Sequence, residues 1–147
     1  MSSEESGSEF ERPIQSVAGR REAAPELNRL SQQVIGAAIE VHRHLGPGLL
    51  ESVYEGALCV ELSLRDIPFE RQSTVELVYK GHRVGQGRLD LLIDGQLIVE
   101  LKAVEALNEV HRAQVISYLK TTGRTLGLLI NFNLPVLRSG IKRIICS

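Results

Sequence analysis

The sequence has no tryptophan, one methionine, two cysteines and 4% aromatic residues in a chain of 147. So few thiols exclude a disulfide-stapled scaffold, and Cys59 and Cys146 show neither a C-x-x-C pair nor the Cys/His spacing of a zinc site. A reducing cytoplasm is the expected compartment. No apolar run approaches the roughly 20 residues that span a bilayer, and the opening MSSEESGSEFERP lacks the basic and then apolar pattern of an export signal. Neither membrane nor export is expected. A phosphate-binding glycine loop is missing too, because Gly81, Gly85 and Gly87 lie in β-like sequence that leads into no helix. Nor does one sign of charge dominate. The net charge is -1, so composition does not announce a nucleic-acid binder. Of 17 basic and 18 acidic side chains, three and six fall within residues 1 to 26, which leaves 14 against 12 in the remainder.

What is present is an apolar fraction of 43%, enough at this length for one domain that buries roughly two-thirds of its unfolded surface. Residues 1 to 25 are rich in Ser, Glu, Gly and Arg and read as a disordered tail, because they cannot offset the entropy of ordering. Residues 26 to 147 form the domain. Leu30, Val34, Ala37, Ala38, Val41 and Leu45 fall at helical spacing, ended by Gly46-Pro47-Gly48. A second helix is expected from about Leu50 to Arg65, with Val53, Ala57, Val60 and Leu64 on one side and Leu58 and Leu62 beside them. Two β-rich stretches follow, residues 74 to 79 and 82 to 93, as antiparallel neighbours. The turn signal Asp94-Gly95 leads into Gln96 to Lys102, a buried strand expected to pair with residues 88 to 93. A helix from about Asn108 to Thr122 and strands at 125 to 131 and 141 to 145 complete an α/β (α+β) chain with a mixed sheet flanked by helices.

Four charged residues do not belong in such a core. On the strand LIVELK, Glu100 and Lys102 point to one side of an otherwise apolar element, where an unpaired charge costs several kcal/mol. Asp90 interrupts the apolar run Leu89 to Ile93, and Glu51 shares a helical stripe with Tyr54, Leu58 and Leu62 that is expected to face inward. The plain alternatives are that Glu100 and Lys102 pair with each other or with Arg88, and that Glu51 is an acid stabilised by the positive end of its helix dipole. Side-by-side carboxylates resist joint ionisation, and a hard divalent cation with oxygen ligands turns that repulsion into binding. Such a cation binds a phosphate oxygen and acidifies a coordinated water, while a neighbouring lysine positions the water or stabilises developing charge. Phosphodiester hydrolysis needs these parts. Gln114 and Tyr118 share a face of the third helix. His42 and His44, two apart on a helix, diverge and make a zinc site improbable. His111 lies on the Gln114 face, and Lys80, His82, Arg83 and Arg88 form a basic strand edge.

Gly48-Leu49-Leu50-Glu51-Ser52-Val53-Tyr54 resembles the motif that names the GxxExxY proteins, small bacterial chains of the PD-(D/E)XK nuclease superfamily. Asp90 followed by Glu100-Leu101-Lys102 resembles that superfamily's D-(x)n-(D/E)-x-K core, and Gln114 to Tyr118 resembles the QxxxY element of RecB-like nucleases. Leu89 stands where the family proline often precedes the aspartate. The resemblance covers roughly residues 27 to 146. It implies a restriction-endonuclease-like core and a metal-dependent nuclease. Asp90 and Glu100 would bind magnesium or manganese, Glu51 would complete the metal site, Lys102 would serve the attacking water, and Gln114 and Tyr118 would orient substrate or ligands. The implied partner is nucleic acid, DNA ahead of RNA, with a homodimer left open. Two alternatives are an inactive nuclease-fold module that binds nucleic acid or a protein, and a homodimeric structural protein in which the cluster is an ion-pair network. A two-residue Asp94-Gly95 hairpin would pair Ile93 with Gln96 and send Asp90 and Glu100 to opposite faces. A shared site therefore requires a three-residue connection over 94 to 96 or a bulge, and the turn signal favours a bulge or bend near Asp90, where Gly85 and Gly87 loosen the strand.

Overall fold

A computed structural model describes residues 23–146, so nearly all of the expected tail lies outside the described residues. Ala23 is buried in the core, and helix α1 runs Pro25–Leu45. Proline suits the first helical turn, where its missing N–H has no intrahelical partner to lose. Leu27, Val34, Ala37, Ala38 and Val41 bury the inner stripe, and Gly46, at φ 68, ends the helix in a conformation that costs a residue with a Cβ.

Helix α2, Glu51–Leu64, packs on α1 and buries the stripe that Glu51 shares with Tyr54, Leu58 and Leu62. Tyr54, Leu58 and Leu62 are fully buried with Glu55 and Cys59 beside them, whereas Val53, Val60 and Leu64 are exposed. Both stripes are apolar. Packing under the sheet buries the Tyr54 side, where Leu58 and Leu62 each contribute about 1.5–3 kcal/mol.

Five strands form one mixed sheet in the order β1-β2-β3-β4-β5: β1 Phe69–Tyr79, β2 His82–Ile93, β3 Leu97–Lys102, β4 Leu126–Asn131 and β5 Ile141–Ile145. Helix α3, Glu109–Thr122, carries the crossover between the parallel pair β3 and β4. A short 3-10 turn, Leu137–Gly140, precedes β5. The three helices divide between the two sheet faces. Leu91, Ile93, Leu97, Val99, Leu101, Leu128 and Ile130 pack with α1 and α2 on one side. Leu89, Leu92, Ile98 and Leu129 pack with Val115, Tyr118 and Leu119 of α3 on the other.

The β2–β3 connection resolves the register. Asp94 (φ 52) and Gly95 (φ 69) make a left-handed turn closed by the Gln96 N–H donating to the Ile93 carbonyl at 2.9 Å, yet pairing resumes at Ile93↔Leu97. The extra residue is Gln96, in the connection, and not near Asp90. A two-residue hairpin would have set Gln96 beside buried Ile93; extruding it keeps Leu91 and Ile93 on the face of Leu97, Val99 and Leu101. The bulge in β2, opposite the Leu77/Val78 step, lies toward β1 and leaves this register untouched. Helix α3 starts at a capping box between Asn108 and His111, so the His111 ring serves the helix end.

Candidate active site

The β2–β3 ladder is shorter than its strands. Pairing stops at Leu91↔Val99, and the next positions, Asp90 and Glu100, replace backbone bonds with side-chain ones. The Asp90 N–H donates to Glu100 Oε2 at 3.0 Å, and the Leu101 N–H donates to Asp90 Oδ2 at 2.8 Å. Each carboxylate thus satisfies a backbone group on the other strand, and the strands fork around the pair. Strand β2 also changes face here, since Leu91 packs with α1 and α2 while Leu89 packs with α3. Its partner β1 does the same between Arg71 and Ser73, at Gln72.

Glu51 reaches the fork from the first turn of α2. The sequence around it explains its placement. Gly48 holds φ 99, and its N–H donates to Asn133 Oδ1 at 3.0 Å. The Tyr54 hydroxyl donates to the Gly46 carbonyl at 2.6 Å and accepts from the Leu49 N–H at 3.1 Å, while its ring stacks on Phe132 at 4.6 Å. Glycine and tyrosine therefore fix the loop that starts the helix, and the glutamate between them points where the loop dictates.

Glu100 is 4% exposed; burial first, then the nearby Asp90 charge, pushes its carboxyl up to about 8. The Asp90 N–H and Lys102 oppose this in part. Burial also raises Asp90, against the Leu101 N–H that favours its ionised form. Glu51 is raised by burial and then by Asp90. Lys102, half-buried, makes no ion pair within 4 Å among the described residues, and no Arg88 pair to the cluster forms either. Its backbone is anchored: the Phe132 N–H donates to the Lys102 carbonyl at 2.9 Å. Fully buried Asn131, its partner in the ladder, clamps Val104 through bonds of 3.1 and 2.9 Å.

A family model described as the PD-(D/E)XK nuclease superfamily matches residues 28–144. The chain belongs to that superfamily. No curated protein matches it. Nucleases of the PD-(D/E)XK type generally use divalent metal ions, so the donor set must be tested against one. Among the described residues, no three carboxylate, imidazole or thiol groups stand together in a geometry that holds a metal ion. The Asp90–Glu100 pair nevertheless fits a hard cation. Magnesium keeps several waters and takes one or two protein carboxylates, and two oxygen donors that both resist ionisation gain from its charge. Glu51 stands beside that pair as an electrostatic neighbour.

Gln114 and Tyr118 face each other on α3, the Gln114 amide 3.5 Å from the Tyr118 hydroxyl. Among the described residues neither bonds to Glu51, Asp90, Glu100 or Lys102. Tyr118 is 8% exposed and lies over Gly87, where a Cβ would meet its ring at 2.7 Å. Glu100 and Lys102 share that side of the sheet, two and four residues beyond Ile98. The histidines of α1 are spent elsewhere: His42 Nε2 donates to the Leu134 carbonyl at 2.7 Å, and His44 meets Glu40.

Sequence reading missed Glu55, Arg71 and Gln72. Glu55 is 6% exposed and takes the Arg71 Nε–H at 2.7 Å and the Gln72 amide at 3.0 Å to each oxygen. Its signal was available, since it lies four residues after Glu51 on one helix face. Gln72 had none, because its role depends on a backbone angle that no residue type announces.

Proposed function

We propose that this protein is a divalent-cation-dependent nuclease that hydrolyses phosphodiester bonds, and that it is a GxxExxY member of the superfamily. The observation that carries the proposal is the Asp90–Glu100 pair, each carboxylate bound to the other strand's backbone where the ladder ends, with Lys102 on the Glu100 side. Asp90 and Glu100 would hold magnesium or manganese, with Glu51 completing the set directly or through a water. The bound cation would supply a Lewis acid for a phosphate oxygen and an acidified water. Lys102 would orient the attacking water and stabilise charge that develops on the phosphate oxygens. Asp90 and Glu100, protonated more readily than ordinary carboxylates, would give up protons as the site loads. Gln114 and Tyr118 would orient substrate from the α3 side.

Among the described residues Lys102 pairs with no carboxylate, which speaks against a purely structural ion-pair network, since such a network would bring the lysine onto one. The substrate would be nucleic acid, DNA ahead of RNA. Labelled single- and double-stranded DNA and RNA, incubated with magnesium, manganese or chelator, test the proposal. Cleavage that needs the cation and vanishes in Lys102→Ala supports it. Binding without cleavage under every cation would leave a nucleic-acid-binding module instead.

A further inference from the structure

Four described residues other than glycine have positive φ. Asp66, Lys80 and Asp94 sit in turns, where this conformation is expected, but Gln72 holds φ 56 in the middle of β1. A side chain with a Cβ is strained there. Glycine would adopt the same angle freely, so the bend at this position does not require glutamine. What glutamine adds is an amide. Its Nε2 lies 3.0 Å from both oxygens of buried Glu55 and 3.5 Å from Asp90 Oδ1.

The bend and the amide act at one place. Gln72 stands opposite Asp90, between the pairs Arg71↔Leu91 and Ser73↔Leu89, where both strands change face. Asp90 Oδ2 is already fixed by the Leu101 N–H on β3. Its other oxygen meets only the Gln72 amide among the described residues, so the carboxylate is oriented from β3 on one side and β1 on the other. Glu55, anchored by Arg71, holds the amide in place from α2. An amide nitrogen carries two N–H donors, enough for both carboxylates. The longer contact to Asp90 is of the kind that tightens when a site is loaded.

We infer that Gln72 is a positioning residue which, anchored by Glu55, fixes the Asp90 carboxylate for cation binding. The inference rests on the nuclease reading for its effect on catalysis, while its effect on the cation is separate. The decisive variant is Gln72→Gly in the full chain, which keeps the bend, removes the strain and deletes the amide. Its Tm is expected within about 3 °C of wild type, because strain relief and the lost Glu55 bonds oppose each other. The manganese concentration giving half the maximal Tm shift rises about 10-fold, and kcat falls about 10- to 100-fold, with KM for a duplex oligonucleotide unchanged.

Wild-type kcat and manganese midpoint in Gln72→Gly would show that position 72 serves the bend alone and overturn the inference. A raised KM with an unchanged midpoint would overturn it too, since the amide would then touch substrate. Should Gln72→Gly fail to fold, Gln72→Asn takes the same measurements; asparagine tolerates this φ, and its shorter side chain does not span Glu55 and Asp90. A wild type that binds manganese but cleaves nothing defeats the nuclease reading and leaves the midpoint comparison intact. A wild type with no manganese-induced shift overturns the inference itself.

Discussion

From Leu89 to Ile93, strand β2 is buried around half-buried Asp90 and flanked by β1 and β3; from His82 to Gln86 it is exposed and, among the described residues, pairs with β1 alone. Charges behave differently in the two halves. In the inner half, Asp90 and its neighbour Glu100 are held by backbone N–H groups and resist ionisation because water is excluded. In the outer half, Arg83 pairs with Glu76 at 2.6 Å with both side chains at least half exposed, a contact worth about 0–1 kcal/mol. Lys80 lies 5.4 Å from the exposed Tyr79 ring at the tip. The same residue types are costly and specific where the strand is enclosed, and nearly free where it is not.

The largest effect that separates the halves is chemical. Lys102→Ala, beside the inner half, should lower cleavage about 10³-fold, while Tm stays within about 2 °C because no ion pair among the described residues is lost. Gel assays and thermal melts measured together check this. A loss of stability as large as the loss of activity would make the lysine structural and break the contrast.

Next is the pH dependence of the chain in chelator. With the Glu100 carboxyl raised from 4.5 to about 8, folded and unfolded chains both hold its proton at low pH. Between these values the unfolded chain releases it and the folded chain keeps it, so stability falls as pH rises, by at most about 1.4 kcal/mol per unit from this group. Asp90 and Glu51 shift in the same direction. Tm measured from about pH 5 to about pH 8 should therefore decline, Glu100→Gln should flatten the decline, and saturating magnesium should remove it. A Tm that rises over this interval in chelator would contradict the buried, mutually raised carboxylates.

At the boundary between the halves, Gly87→Ala should cost about 1–3 kcal/mol in urea unfolding, since the new Cβ would stand 2.7 Å from the Tyr118 ring. Smallest is the outer half itself. Lys80→Ala with Arg83→Ala should change stability by no more than about 1 kcal/mol. If the tip contacts nucleic acid, the salt slope of DNA binding should fall by about 2. Anisotropy titrations across a salt series measure that slope, and an unchanged slope would confine binding to the inner half.

Much of this was legible along the chain. The helix α1, the order of elements and the final strands followed from apolar spacing and from glycine and proline stops. The candidates Glu51, Asp90, Glu100 and Lys102 stood out because each interrupts an apolar pattern where an unpaired charge is expensive. The inward stripe of α2 through Tyr54, Leu58 and Leu62 was legible from helical spacing, while Val53, Val60 and Leu64 form a second apolar stripe that packing leaves exposed. The turn was half legible: Asp94-Gly95 does form a tight left-handed turn, but polar Gln96 is pushed out of the ladder next to it.

By itself, then, the sequence determined which residues pay to be buried and the local geometry that a side chain and its near neighbours control. Tertiary structure alone decided that Asp90 falls opposite Glu100, that the strands fork there, and that Gln72 bends beside them within reach of Glu55. The physical reason is that register and face are set by which of several comparable burials can be satisfied together. That choice is made by the whole core at once, and no window of the chain contains it.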